Sequence, residues 1–462
     1  MKKTLGEMLP PSTKSSFSIP TYVINLKKRT DRKVHVLDQF AGKSEFQLNI
    51  VEAFEHSFGA LGLWATIRHI LIDRISPDFE YVIVCEDDIE FTEHYSKEAL
   101  LNSIIEAQKL DADILLGGIS WADETIQISE HLFWTNNFSG LQFTIIFKRF
   151  IDLLKYRPLM KYSAADYFMA SLSKNVILRH PFLAIQKDFG YSDATCKNNE
   201  KGIVESYFVF SDQNLLNSIK VKNLYKTLPK DAAEDLEYID YNTLSIPTYV
   251  INLPERTERR AHIEAQFNGR PEFDVKIIEA CKHEIGALGL WMSIRKIIEM
   301  AIDNHDDVII IAEDDHQFTS GYDKEFLIRN IIEANDEGAD LLSGGSGKFR
   351  NAIPITKNRY WVSHLLSTQF MVIYNRFFRQ ILDEPYDEKI VADLTYSRMT
   401  MNKMLLYPFV SKQVDFGYSD ITAKHNENKG LITNMFVESE TKLKCIQDAY
   451  LKYNRETSIS QQ

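Results

Sequence analysis

The chain has 462 residues, 44% apolar and 12% aromatic, which is enough for more than one hydrophobic core and excludes a wholly disordered chain. Acidic residues outnumber basic ones, 65 to 53, giving a net charge of -12 and excluding the basic surplus of a general nucleic-acid binder. The four cysteines form no CxxC pair, which argues against zinc ribbons and thioredoxin-type sites and fits a reducing, cytoplasmic setting.

Residues 1–18 read as an N-terminal extension; their lysines are not followed by an apolar run, so no secretory signal is expected. Thr21–Leu26 is an apolar, β-branched run predicted as a strand, followed by a charged helix over Thr30–Phe40. Gln47–Ala53 reads as the next strand, and Leu61–Ile75 as a largely buried helix with Gly59 and Gly62 at its entrance. Tyr81–Cys85 has the continuous apolar character of a central parallel strand. A helix over Leu100–Leu110 and a strand over Asp113–Leu116 follow, ending in Gly117-Gly118. No run of about 18 apolar residues occurs, so at most peripheral membrane contact is expected, from the cytoplasmic side.

The same order then recurs. IPTYVINL begins at Ile19 and Ile246, and 246 − 19 = 227; GALGLW, EDD and DFGYSD recur at the same shift. Two copies of this length are two tandem α/β domains, at 19–220 and 246–437, joined by a polar, acidic linker at 221–245 and followed by a C-terminal helix and tail at 438–462. In such mostly parallel, Rossmann-like sheets, ligands sit at the carboxyl ends of strands.

Glu86-Asp87-Asp88 and Glu313-Asp314-Asp315 each follow the most apolar strand of their copy. Two unit charges ~4 Å apart at an effective dielectric of ~20 repel by about 4 kcal/mol, so something must offset the cluster. Water does so in a solvated turn; a divalent cation does so in a site. Alternation along extended backbone puts Glu86 and Asp88 on one side, and hard oxygen ligands with open positions suit Mn²⁺ or Mg²⁺ carrying a diphosphate. Asn25, Arg29 and Arg32, with Asn252, Arg256 and Arg259, lie at the first strand-to-helix loop, where arginine can fork onto phosphate or stack on a base; a charged helix start is the plainer reading. Gly117, Gly118, Gly344 and Gly345 could bring backbone close to a sugar or simply make a tight turn.

Taken together, YVINLxxRTDR at Tyr22–Arg32, GxxG at Gly59–Gly62, the EDD triplet, the GG pair, the segment Gln142–Leu154 and Ser192–Asp193 resemble glycosyltransferase family 25, the lipopolysaccharide-biosynthesis and collagen galactosyltransferase group; the second copy shows the same order. The resemblance implies two GT-A-like domains and inverting transfer of a hexose, galactose above all, from a UDP-sugar to a glycan or lipid-linked glycan acceptor. It also implies Mn²⁺ (or Mg²⁺) on Asp88 and Asp315 assisted by Glu86 and Glu313, and nucleotide held by Arg29 and Arg256. Where bacterial members carry Ser-His in the helix after GxxG, this chain has Thr66-Ile67 and Ser293-Ile294.

Inverting transfer needs a base, which the resemblance places at Asp166 and Asp393; a helix N-cap or first-turn aspartate is the structural alternative. Asp188, Asp193, Asp415 and Asp420 flank DFGYSD, a further metal ligand, a lid, or a rigid turn. His425 aligns with Asn198 and could complete a metal site or be an inert surface histidine; His316 stands where the first copy has Ile89, so the copies are not equivalent. A non-catalytic or half-degenerate tandem module binding glycan or sugar nucleotide is the alternative to an enzyme.

Overall fold

The computed structural model describes residues 18–158, 164–191, 200–227, 240–386, 391–417 and 430–459. The chain divides into two compact units, Met1–Asn217 and Ser218–Gln462. Each is a mixed α/β, Rossmann-like domain built on an eight-stranded, mostly parallel sheet.

Unit 1 runs β1 (Ile19–Asn25), α1 (Thr30–Phe40), β2 (Phe46–Glu52), α2 (Gly59–His69), β3 (Tyr81–Glu86), β4 (Ile89–Phe91), α3 (Lys97–Lys109) and β5 (Ile114–Leu116). The short strands β6 (Trp121–Ala122), β7 (Thr125–Gln127), β8 (Leu132–Thr135) and β9 (Phe138–Ser139) lead to β10 (Phe143–Phe147) and α4 (Lys148–Leu154). Then come α5 (Ala165–Leu172), β11 (Val176–Arg179), β12 (Ala184–Gln186) and α6 (Ile203–Thr227), whose residues from Ser218 on fall in unit 2. The sheet order is β2-β1-β3-β10-β5-β11-β8-β7, with β10 and β8 reversed. β1 pairs in parallel with β2 and β3, so Asn25, Glu52 and Glu86 end side by side at one rim. The largely apolar runs of β3 and β10 are buried because neighbouring strands flank both of them and each face is covered.

Unit 2 repeats this order strand for strand, with Val308–Glu313 between Ile246–Asn252 and Phe370–Tyr374. One expectation about the ends is corrected. The C-terminal helix starts at Leu431, inside the stretch assigned to the second domain, and buries Leu443, Ile446 and Tyr453, so it belongs to the fold of unit 2. Its counterpart α6 occupies the first part of the expected linker; 228–239 lie outside the described residues. Gly202 and Gly430 before these helices are separated by 430 − 202 = 228, so the repeat slips by one residue in the stretch that carries His425.

The two GALGLW helices are seated by backbone contact. A Cβ on Gly62 would lie 2.4 Å from the Phe54 carbonyl oxygen, and one on Gly289 2.5 Å from that of Cys281. Thr66 Oγ1 donates to the Gly62 carbonyl at 2.8 Å and accepts from the Phe54 N–H at 2.9 Å; Ser293 does the same with Gly289 and Cys281. The hydroxyl common to both copies therefore fastens the loop after the second strand to its helix.

Candidate functional site

The acidic triplets end their strands at the sheet rim, but the expected alternation fails. β3 stops at Glu86, and Asp87-Asp88 turn the chain into β4, which brings both aspartates to one side. A single nitrogen, Arg32 Nη1, donates to Asp87 Oδ1 at 2.9 Å and Asp88 Oδ2 at 3.0 Å. Asn25 Nδ2 donates to the other Asp87 oxygen at 2.8 Å, and Gln186 Nε2 to Asp88 Oδ2 at 2.8 Å. Unit 2 repeats every contact: Arg259 to Asp314 and Asp315 at 3.0 and 3.2 Å, Asn252 to Asp314 at 2.9 Å, and Gln413 to Asp315 at 2.9 Å. Like-charge repulsion is thus offset from within the protein, by a buried guanidinium and two amides.

Arg32 and Arg259, expected to face phosphate, are spent on these carboxylates, and Asn25 and Asn252 act as braces. Behind each arginine an aromatic ring lies across the guanidinium, Phe189 or Phe416, both 4.8 Å from it. These rings belong to the DFGYSD turns. Asp188 accepts the Gly190 and Gly202 N–H groups, as Asp415 accepts those of Gly417 and Gly430, so these aspartates are rigid-turn anchors. Asp193, Asp420 and His425 lie outside the described residues.

The glycine pairs are corrected from sugar contacts to packing. All four are buried; a Cβ on Gly118 would meet the Ala184 carbonyl oxygen at 2.0 Å, and one on Gly345 that of Ser411 at 2.0 Å. Gln142 and Gln369 lock the same crossing by donating to the Gly118 and Gly345 carbonyl oxygens at 2.8 and 2.9 Å. Sequence reasoning gave no role to Gln142 and Gln369, which open matching segments, and missed Gln186 and Gln413; their identity at the 227-residue shift was the available signal.

In unit 2 a cleft of about 470 Å³ opens beside the triplet. Its walls are the first loop (Glu255, Arg256), Arg259, the 280–284 loop, the start of the Gly286–Asp303 helix, Glu313–Asp315, and Gln413–Phe416. Of the expected residues, Arg256, Arg259, Glu313 and Asp315 come together there; Asn252, Gly344, Gly345 and Asp393 do not line it. In unit 1, Arg29 instead lies 4.1 Å over the Tyr191 ring.

Asp393 is the first-turn residue of its helix, its Oδ2 accepting the Ser367 N–H at 3.1 Å; Asp166 matches it, accepting Ser139 Oγ at 2.8 Å and the Gly140 N–H at 3.1 Å. Each stands near the glutamate of its triplet. Burial pushes Glu86 well above the usual carboxylate range, with Asp88, Asp87 and Asp166 adding; burial lifts Glu313 to about 8, with Asp315 adding and the Thr368 hydroxyl, 2.6 Å away, opposing. Burial raises Asp88 and Asp315 to about 6. His316 is core: its Nδ1 meets Ser411 Oγ at 2.7 Å, its ring packs on Phe318 and Phe370, and burial pushes it down to about 3.

The fit to a cation rests on one atom per unit. Asp88 Oδ1 and Asp315 Oδ1 are buried with no hydrogen-bond partner, an anionic oxygen that a cation would satisfy. Among the described residues no three His, Cys, Asp or Glu side chains are grouped to hold a metal.

No protein-family model matches this chain, and no curated protein matches it. Among solved structures it is similar to apo UDP-glucose pyrophosphorylase, at 12% identity and a TM-score of 0.26, over 42% of this chain and 82% of that one.

Proposed function

We propose that the chain is a glycosyltransferase of the family 25 type, moving a hexose, galactose foremost, from a UDP-sugar to a glycan or lipid-linked glycan of a bacterial surface polysaccharide or lipopolysaccharide. The supporting observation is the unit 2 cleft, which joins Arg256, a helix start and an acidic triplet with an unsatisfied Asp315 oxygen. Its volume of about 470 Å³ lies in the range of sites that enclose a small molecule. Arg256 and the Gly286 N–H at the start of the Gly286–Asp303 helix bind the diphosphate.

As the acceptor oxygen bonds to the anomeric carbon, the bond to the diphosphate breaks and its electron pair leaves with UDP. The acceptor proton passes to Asp166 or Asp393, held in place by the Gly140 or Ser367 N–H. Mn²⁺ or Mg²⁺, held through Asp88 or Asp315 with Glu86 or Glu313 beside it, would supply positive charge for the departing diphosphate. No helix among the described residues is long and apolar enough to cross a membrane; a cytoplasmic location with at most peripheral membrane contact is part of the proposal.

Cys281 lines the cleft and is partly exposed, which gives a direct test. With Mn²⁺ present, UDP slows alkylation of Cys281, and UDP-hexoses release UDP. Absence of both Cys281 protection and UDP release overturns the proposal. The arginine held on both aspartates favours a second reading, a module that binds nucleotide sugar or glycan without transfer; protection at Cys281 without UDP release from any UDP-hexose, with a range of glycan acceptors present, selects it.

A further inference from the structure

The two units differ in what surrounds their matching aspartates. In unit 1, Trp121 and Tyr167 form an edge-to-face pair with ring centroids 6.1 Å apart, 39% and 44% exposed. The pair is anchored to the site. Trp121 lies opposite Ser139 in the β6–β9 ladder, Ser139 Oγ donates to Asp166, and Tyr167 follows Asp166 in α5. Among the five tryptophans, Trp64, Trp134, Trp291 and Trp361 are each at most 4% exposed. Unit 2 has Lys348 and Leu394 at the corresponding positions, both exposed, so the fold does not require aromatic rings there.

Two large rings held half in water beside a carboxylate are ready to cover an apolar surface that arrives with hydroxyls attached. A pyranose ring has that chemistry: one face of C–H groups and a rim of hydroxyls. We infer that Trp121 and Tyr167 form a platform for a hexopyranose of the acceptor, with a hydroxyl turned toward Asp166, and that unit 2 lacks this platform. The inference rests on the transferase reading and concerns the acceptor side of unit 1 by itself, beside that unit's own acidic triplet.

The test uses the full chain, methyl hexopyranosides and lactose as probes, and acrylamide quenching of fluorescence, which reports Trp121 because the other tryptophans are buried. At least one probe protects Trp121 saturably. Tyr167→Leu, which installs the unit 2 residue, weakens that protection about three- to tenfold through loss of one stacking face. In a Trp121→Lys background, Lys348→Trp with Leu394→Tyr creates a quenchable tryptophan in unit 2; its protection by the same probe supports the platform as sufficient. No protection of Trp121 by any probe, or unchanged affinity in Tyr167→Leu, overturns the inference. Cys281 protection by UDP is read in the same samples. UDP protection without pyranoside protection ends the platform and leaves the nucleotide site; the reverse keeps the platform and ends the nucleotide reading.

Discussion

Arg32 and Asp87 meet at 2.9 Å with both side chains about nine-tenths buried, and Arg259 repeats the contact with Asp314 at 3.0 Å. Removing one partner of such a pair leaves an uncompensated charge out of water. Arg259→Leu is expected to lower unfolding stability by about 3–5 kcal/mol in urea denaturation, and adding Asp314→Asn to recover part of that loss. Wild-type stability in the single variant would show that the aspartates do not depend on the guanidinium.

Gly345 tests whether the glycine pair serves packing or ligand. With a Cβ 2.0 Å from the Ser411 carbonyl oxygen, Gly345→Ala must displace backbone, and a loss of about 1–3 kcal/mol or more is expected without any ligand present. Equal melting temperatures for variant and wild type would return the glycines to a ligand role.

These two sites show where the sequence was readable. The repeat, the alternation of strands and helices along each copy and the placement of the triplets at strand ends followed from identities at one shift and from apolar runs such as VIVC and VIIIA. Partners did not follow. An arginine in the first turn of a helix reads equally as a phosphate ligand or as part of a charged helix start, and only the turn at Asp87 decides that Arg32 reaches both aspartates. Gly118 and Gly345 read equally as sugar contact or tight turn until the crossing strand is known. The C-terminal helix starts at Leu431 rather than at 438, seven residues earlier than its helical spacing alone suggests.

Ser367 holds its N–H on Asp393 at a φ of 95°, where unit 1 has Gly140 at 116°. A left-handed backbone at a serine is strained, and it lies at the proposed base. Ser367→Gly is expected to raise stability by about 1 kcal/mol. Urea denaturation measures this; a decrease would mean that the serine side chain contributes more than its backbone strain removes.

Lys403 is fully buried, its Nζ donating to the Ser397 and Thr400 carbonyl oxygens, and burial pulls it down to about 8. Because the folded value lies below the unfolded one, its contribution to stability is fully present above the unfolded value near ~10.4 and is lost as pH falls through about 8. Between pH 9 and pH 7 the wild type should therefore lose stability relative to Lys403→Met, by about 1–2 kcal/mol. Parallel pH dependence in the two proteins would show that Lys403 carries no shift.

At the cleft mouth Glu255 pairs with Lys282 at 3.0 Å, while the matching residues of unit 1, Lys28 and Glu55, pair at 3.6 Å with the charges exchanged. Both pairs are more than half exposed, so neither adds much to folding. What survives the exchange is a bond between the first loop and the loop after the second strand, two walls of the cleft in unit 2. Glu255→Lys should set two cations against each other and weaken UDP protection of Cys281, whereas Glu255→Lys with Lys282→Glu, the unit 1 arrangement, should restore it. The urea midpoint should stay close to wild type in both. If the single reversal leaves Cys281 protection intact, the pair is an incidental surface contact and the two loops hold the cleft without it.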